Sequence, residues 1–188
     1  STGDELVEGK VALAPGQIRD SNRRTLLSLL SSDGFEPVDL GLLPDDETLI
    51  EEALLKGSQD CDAVITSGGV SMGDYDYVKE VLRRVGDMRW MQIAIKPAKP
   101  LAFGTIGDTP IFGLPGNPVS SMVSYELFAR PGLRSMMGFP HPVRTSLKGI
   151  AAGALTRKAD GKIHYARVTA EFADGDLIVT PMMEEKFQ

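Results

Sequence analysis

The chain has 188 residues, of which 42% are hydrophobic and 24% charged, and its 20 basic and 26 acidic side chains give a net charge of −6. These values are ordinary for a folded protein and exclude a disordered, collagen-like or coiled-coil chain. The single cysteine, Cys61, excludes a disulfide framework and favours a reducing compartment, so we expect a cytoplasmic protein. No run reaches the roughly 18 apolar residues that cross a bilayer, and we expect no membrane partner.

The charges are distributed unevenly along the chain. Residues 1–60 carry 13 acidic and 5 basic side chains, whereas residues 61–188 carry 13 acidic and 15 basic ones. The second region is therefore where an anionic ligand is expected. Its basic density is far below that of a nucleic-acid-binding surface, and we expect no nucleic-acid partner.

The first third of the chain predicts a helix, a strand and a second helix. The stretch from Ser21 to Gly34 begins at a candidate N-cap, carries leucines at helical spacing and stops at a glycine. Residues 35–42 predict a short strand. Asp45 or Asp46 is expected to cap a second helix that ends before Gly57.

Strands and helices continue to alternate as far as Gly138. A strand at 63–65 leads through a glycine-containing loop into a helix at 75–85. The following hydrophobic runs predict strands at 88–95, 101–106 and 111–114. A last helix is predicted at 118–137, and Pro131 should kink or split it. This order predicts a three-layer α/β domain over residues 1–138. Residues 139–188 begin with a proline-containing linker, FPHPVR, and predict β-runs at 163–172 and 177–180, too little to form a core alone.

The first candidate site is the glycine loop between the strand at 63–65 and the following helix. Glycines let a backbone approach a ligand, and amides at a helix N-terminus attract phosphate. The nearby aspartates would repel a phosphate unless a cation such as Mg²⁺ lies between them. The alternative is purely structural, with Asp74 capping the helix and Asp76 in its first turn. The candidate nucleotide-binding residues are Thr66, Ser67, Gly68, Gly69, Ser71, Gly73 and Asp74.

The loop is neither of the two standard nucleotide motifs. It lacks the G-x-G-x-x-G pattern of dinucleotide-binding folds and the G-K-[ST] ending of a P-loop.

The second candidate site is the sequence KPAKP at residues 96–100. Its two prolines stiffen the backbone, so Lys96 and Lys99 lose little entropy when both approach a compact oxyanion. The alternative is a solvated basic connection between strands.

The third candidate site is the loop LPGNPVS at residues 114–120, again between a strand and a helix. Asn117 is a good helix cap, Pro118 suits the first helical position, and Ser120 lies in the first turn. Pro115, Gly116 and Asn117 complete the candidate nucleotide-binding set. Capping alone would also explain this loop, but two such loops in one sheet place two helix N-termini at the same edge, where α/β sheets bind ligands.

Five motifs together resemble one family. STGDEL at 1–6, IRDSN at 18–22, TSGGVSMGDYDY at 66–77, KPAKP and LPGNPVS occur in the order and spacing of the molybdopterin molybdotransferases, the MoeA and gephyrin E-domain type. The resemblance implies a MoaB/MogA-like three-layer α/β domain followed by a partial, small all-β domain. It implies Mg²⁺-dependent insertion of molybdate into adenylylated molybdopterin with release of AMP.

The resemblance also implies residue roles. Asp76, Lys96 and Lys99 would be catalytic, Asp76 would bind Mg²⁺, and Asp20 is a weaker candidate for the same ion. Asp4, Glu5 and Asn22 are further site residues that the resemblance suggests. The residues implied as molybdate ligands are Lys96, Lys99, Pro100, Ser120 and Arg167.

Members of the family are longer than this chain. They carry two more N-terminal domains, an apolar strand before STGDE and a longer C-terminal β domain, and they act as homodimers, so this chain looks like a fragment. Two alternatives remain open. A molybdopterin adenylyltransferase shares the α/β domain but uses ATP, and a gephyrin-like scaffold binds peptides without catalysis.

Overall fold

The computed structural model describes residues 1–70, 76–154 and 159–182. Ser71, Gly73 and Asp74 of the first glycine loop, and the predicted start of the following helix, lie outside the described residues. In the described part, no helix is both long enough and apolar enough to cross a membrane.

The helices lie in the first three quarters of the chain. A π-helical turn at Tyr125–Ala129 joins the last two α-helices without a break. The α-helices are Asn22–Ser32 (α1), Glu47–Asp60 (α2), Tyr77–Val85 (α3), Pro118–Ser124 (α4) and Arg130–Met136 (α5).

The strands form one central sheet and several small ones. The central sheet has the order β3-β7-β6-β4, with β3 parallel to β7 and the other neighbours antiparallel. The strands are Leu6–Val7 (β1), Ile18–Arg19 (β2), Val64–Ser67 (β3), Asp87–Gln92 (β4), Ile95–Lys96 (β5), Pro100–Ile106 (β6), Thr109–Leu114 (β7), Ile150–Ala151 (β8), Ile163–His164 (β9), Val168–Ala173 (β10) and Asp176–Pro181 (β11).

The central sheet is covered on both faces, which confirms the predicted three-layer α/β class. On one face, α2 and α3 bury Ile50, Val81 and Leu82 against the sheet residue Ile111. On the other face, α1 and the helical region after β7 contribute a second cluster, whose buried members are Leu26, Leu101, Phe112, Leu114, Tyr125 and Ala129. Burying apolar side chains in two layers is the main stabilising contribution of this arrangement.

The starts of α1 and α2 lie where the capping residues predicted them. The cap residue of α1 and the end of α2 differ from the prediction. Ser21 occupies the N-cap position of α1 but makes no side-chain cap, and the carboxylate of Asp20 accepts from the Arg23 amide instead. Asp46 caps α2 by accepting from two backbone amides. The helix does not end before Gly57 but continues to Asp60.

Gly57 is present for packing rather than for helix termination. A Cβ at this position would lie 2.9 Å from Leu40 Cδ1 and 3.1 Å from Val64 Cγ2. The missing side chain therefore allows α2 to approach β3 closely.

The predicted strand at 35–42 is wrong. This segment has no strand, although its end is tied to the start of the chain, since the Ser1 ammonium donates to Gly41 O and the Leu43 amide donates to Ser1 O. A cavity of about 720 Å³ is lined by residues 35–41 on one side and by Val64 and Ile65 of β3 on the other. The segment therefore lacks the hydrogen-bonded neighbour that a strand requires.

The helical region after β7 is split, as Pro131 predicted. Proline cannot donate to the carbonyl four residues earlier, and its ring clashes with that carbonyl. The π-helical turn that ends at Ala129 absorbs this mismatch just before Pro131.

In its described residues, 139–154 and 159–182, the C-terminal region is all β, and it contacts the α/β unit through strand pairing. β10 and β11 form a hairpin through the predicted ADGD turn, and β8 pairs with β11. β9 pairs with β5, so this region adds to the KPAKP segment. The domain boundary at residue 138 stays a prediction.

Candidate functional site

The two glycine loops emerge side by side from neighbouring parallel strands. Ser67 at the end of β3 is paired with Leu114 at the end of β7, and the Gly68 amide continues this ladder by donating to Leu114 O at 3.1 Å. A Cβ placed on Gly116 would lie 3.6 Å from Gly68 Cα. The loops are therefore in contact where they leave the sheet, as the sequence predicted for the carboxyl edge.

The first loop needs glycine for conformation and for space. Gly68 and Gly69 have φ values of +92° and +71°, a region that side chains rarely adopt. A Cβ on Gly69 would overlap Val78 of α3 and approach Asp76 Oδ1 at 3.0 Å. The glycine pair thus brings the loop backbone against the start of α3.

Asp76 begins α3 as its N-cap. Its Oδ1 accepts from the Lys79 amide at 3.1 Å. The structural alternative assigned the cap to Asp74 and a first-turn position to Asp76, and that assignment is wrong for Asp76. Because a cap carboxylate sits at the positive end of the helix dipole, Asp76 is held in place at the edge of the loop.

The second loop is fixed by Asn117 in the same way. The Asn117 side chain accepts from the Ser120 amide at 3.2 Å, and Pro118 occupies the first turn of α4 as predicted. The loop thus presents the N-terminus of α4 to the same edge of the sheet.

A single cleft of about 750 Å³ lies between these loops and the N-terminal segment. Both glycine loops, Asp76, Ser120 and Pro100 contribute to its wall, so residues from all three candidate segments meet there. Its lining residues from the predicted site are Glu5, Asp20, Asn22, Ser67, Gly68, Gly69, Asp76, Pro100, Pro115, Gly116, Asn117 and Ser120.

The remaining predicted residues that the structure describes lie outside this wall. Thr66 is buried beneath the first loop, and its hydroxyl has no hydrogen-bond partner among the described residues. Asp4 lies at the N-terminal segment, where its Oδ1 accepts from the Asp45 amide at 3.0 Å.

Both lysines of KPAKP are exposed, and neither lines the cleft. Lys99 lies on the predicted turn before β6, whereas Lys96 is the last residue of β5 and pairs with β9. The turn reaches the cleft through Pro100, because β6 begins there and runs antiparallel to β7. The Tyr165 amide donates to Lys96 O at 2.9 Å, and Arg167 follows two residues later, also exposed. The molybdate role of Lys96, Lys99 and Arg167 stays a prediction.

The cleft wall is predominantly acidic. Among the described residues, four carboxylates, those of Glu5, Asp20, Asp45 and Asp76, line it together with one basic side chain, Arg19. A bound phosphate would therefore be repelled unless a cation compensates the negative charge.

These carboxylates suit Mg²⁺, which is usually held by one or two protein carboxylates together with ligand phosphates and water. No group of three metal-binding side chains occurs in residues 1–70, 76–154 and 159–182, so a site built from protein ligands alone is not present in that part of the chain. Both carboxylate oxygens of Asp20 already accept hydrogen bonds, Oδ1 from Ser1 Oγ and Oδ2 from Arg23 Nε, so this group is engaged in holding the N-terminal segment.

Sequence reasoning missed Asp45 as a site residue. It was considered only as a helix cap, but Asp46 caps α2, and Asp45 donates its backbone amide to Asp4 Oδ1 and lines the cleft. The neighbouring aspartates gave no signal by which to separate the two roles.

The chain is similar to known proteins over most of its length. The model of the family described as "Probable molybdopterin binding domain" matches residues 1–135. A molybdopterin molybdenumtransferase of Haemophilus influenzae is 42% identical over 167 residues, which cover 89% of this chain and 41% of the relative. The molybdenum cofactor synthesis protein cinnamon of Drosophila melanogaster is 43% identical over 143 residues, covering 74% of this chain and 23% of the relative.

A solved structure extends the likeness beyond the matched domain. The molybdopterin biosynthesis MoeA protein of Pyrococcus horikoshii aligns with a TM-score of 0.71 and 27% identity, covering 97% of this chain and 44% of that one. This chain therefore spans less than half the length of the curated relatives that it matches.

Proposed function

This chain belongs to the molybdopterin-binding domain family and, within it, to the molybdopterin molybdotransferases of the MoeA and gephyrin type, and from that membership we propose a specific reaction. It is the Mg²⁺-dependent insertion of molybdate into adenylylated molybdopterin with release of AMP. The role of the chain in molybdenum cofactor biosynthesis is supported by the names of its relatives. We further propose that the whole protein acts in the cytoplasm as a homodimer.

The observation that carries this proposal is the convergence of both glycine loops and Pro100 on one cleft. The loops offer backbone amides and two helix N-termini to the phosphate of the nucleotide. Ser67 adds a hydroxyl donor, and Asn117 fixes the direction of α4. The Ser120 hydroxyl also lies in the cleft wall, where it donates to Asn117 Oδ1 at 3.4 Å. The basic turn at Lys96 and Lys99 would hold molybdate, a compact dianionic substrate, beside the nucleotide.

Asp76 would hold Mg²⁺ in this scheme. The ion would supply positive charge that offsets repulsion between the acidic wall and the phosphate. Asp76→Asn tests this role cleanly, because asparagine caps a helix about as well as aspartate but has no charge. We expect the variant to stay folded and to lose most of the Mg²⁺-dependent gain in AMP affinity measured by calorimetry.

Asp46→Asn is the matched control, since Asp46 is the N-cap of α2. It should leave the Mg²⁺ dependence unchanged. An Asp76→Asn protein whose AMP binding still responds fully to Mg²⁺ would show that another residue holds the ion.

The molybdate site is tested by a paired charge removal. Lys96→Ala with Lys99→Ala should weaken molybdate binding at least about tenfold, because the affected side chains are the proposed anion ligands. Lys56→Ala with Lys148→Ala removes the same charge from two other exposed positions and should have less than about a twofold effect. Equal losses in the two double variants would indicate only a general effect of net charge.

A further inference from the structure

Asn22 connects the two glycine loops through a single side chain. It lies at the first position of α1, half-buried at the wall of the cleft. Its Nδ2 donates to Ser67 Oγ at 2.8 Å and to the carbonyl oxygen of Gly116 at 2.7 Å. One amide thus joins α1, the end of β3 and the second loop, across 45 and 94 positions of sequence.

The partners determine which way the amide faces. The carbonyl of Gly116 can only accept, so the NH₂ group and not the amide oxygen must point toward it. Since the NH₂ group cannot accept, Ser67 Oγ must be the acceptor of the second bond. The hydroxyl hydrogen of Ser67 is then available to donate in another direction, and Ser67 lines the cleft.

We propose that Asn22 is a positioning residue for the nucleotide-binding cleft, which fixes the separation of the two loops and orients the Ser67 hydroxyl as a donor toward the ligand phosphate. This inference rests on the proposed function, because it takes the ligand to be a nucleotide. Asn22 itself needs no contact with the ligand. Its effect passes through Ser67 and Gly116.

Asn22→Asp is the most informative variant, since it preserves the size and shape of the side chain. An ionised carboxylate cannot donate to Gly116 O and repels it. A protonated carboxyl carries one O–H and can restore one of the two bonds. The pKa of a carboxyl that faces a carbonyl oxygen lies above the ordinary value of about 3.9. Nucleotide binding by the variant should therefore improve as the pH falls.

The measurement is the AMP affinity with Mg²⁺, taken from about pH 7.5 to pH 5 and expressed at each pH as the ratio of variant to parent. The ratio removes the titration of the AMP phosphate itself, which occurs near pH 6. We expect about tenfold to hundredfold weaker binding at the upper pH, and recovery by several fold at the lower pH.

Two controls isolate the hydrogen bonds. The alanine side chain of Asn22→Ala cannot donate at any pH. The ratio of its AMP affinity to that of the parent should therefore be low and should not change with pH. Gln59→Glu makes the same amide-to-carboxylate change at an exposed position of α2 and should give a ratio near one throughout. An Asn22→Asp ratio near one at about pH 7.5, or an Asn22→Ala ratio near one at any pH, overturns the proposal.

A second measurement, on the parent protein without ligand, depends neither on the folding of a variant nor on AMP binding. In the nuclear magnetic resonance spectrum, the Asn22 side-chain NH₂ protons should exchange slowly and show Overhauser contacts to Ser67 and Gly116. Rapid exchange without these contacts overturns the inference. If the contacts are present but the parent binds no AMP, it is the proposed function that fails, and with it the role of Asn22 in ligand binding.

Discussion

Replacing Gly69 by alanine should disrupt the first glycine loop more than the same replacement at Gly107 disrupts its own turn. The residue has φ +71°, and a Cβ at this position would overlap the side chain of Val78 in α3. Val78 is 1% exposed, so it has no room to move away. The substitution therefore combines backbone strain with overpacking.

Gly107→Ala separates these two effects. Gly107, in the turn between β6 and β7, also has a positive φ of +57°, but nothing lies within 4 Å of its hypothetical Cβ. Its cost is the left-handed conformation alone, about 1–2 kcal/mol. Gly69→Ala bears a similar conformational cost and about 1–3 kcal/mol for overpacking, giving about 2–5 kcal/mol in total.

Urea denaturation of both variants and the parent measures the difference in the free energy of unfolding. Gly69→Ala should be less stable than Gly107→Ala by about 1–3 kcal/mol at similar m-values. It should also weaken AMP binding, because a displaced α3 moves Asp76, whereas Gly107→Ala should bind AMP as the parent does. Equal stability losses in the two variants would refute the idea that the first loop is packed tightly against α3.

Three further substitutions test other parts of the structure. Burial raises the pKa of Asp33, but the hydrogen bond from Arg130 helps to outweigh this and holds the pKa below its usual range. The resulting stabilisation is complete above the pKa of Asp33 in the unfolded chain and is lost as the pH falls through its pKa in the folded protein. Asp33→Asn should therefore lower the free energy of unfolding by about 3–5 kcal/mol near pH 7 and by less below about pH 3. In acid denaturation, a stability loss that does not change with pH would contradict this. Asp46→Ala removes both bonds of the α2 cap and should lower the free energy of unfolding by about 1 kcal/mol, and no change would show that the cap is dispensable. Leu114→Ala empties a fully buried position and should cost about 2–5 kcal/mol in urea denaturation, against less than about 0.5 kcal/mol for the exposed Leu147→Ala.

The features that the sequence predicted correctly depend on local chemistry. The caps of α2 and α4 lie within three residues of the amides they bind, and the hydrophobic spacing of each helix is visible in its own segment. The convergence of the two glycine loops followed from one topological rule for neighbouring parallel strands. These predictions needed no knowledge of distant contacts.

The features that the sequence did not predict depend on partners far along the chain. The stretch 35–42 has strand-like composition but no adjacent strand to bond, and Gly57 looks like a helix stop until Leu40 packs against it. The contacts of Asn22 lie 45 and 94 residues away. Composition and spacing carry no information about such pairings, which exist only once the sheet has assembled.

The central claim is that one cleft, built by both glycine loops, binds the nucleotide. A titration of the isotope-labelled chain with AMP and Mg²⁺, followed through its backbone amide resonances, tests this most directly. We predict that the amides of Gly68, Gly69, Gly116 and Ser120 shift together along a single saturation curve. Saturation that leaves these amides unchanged, or shifts only residues around the cavity between α1 and β3, such as Phe35 and Cys61, would contradict the account.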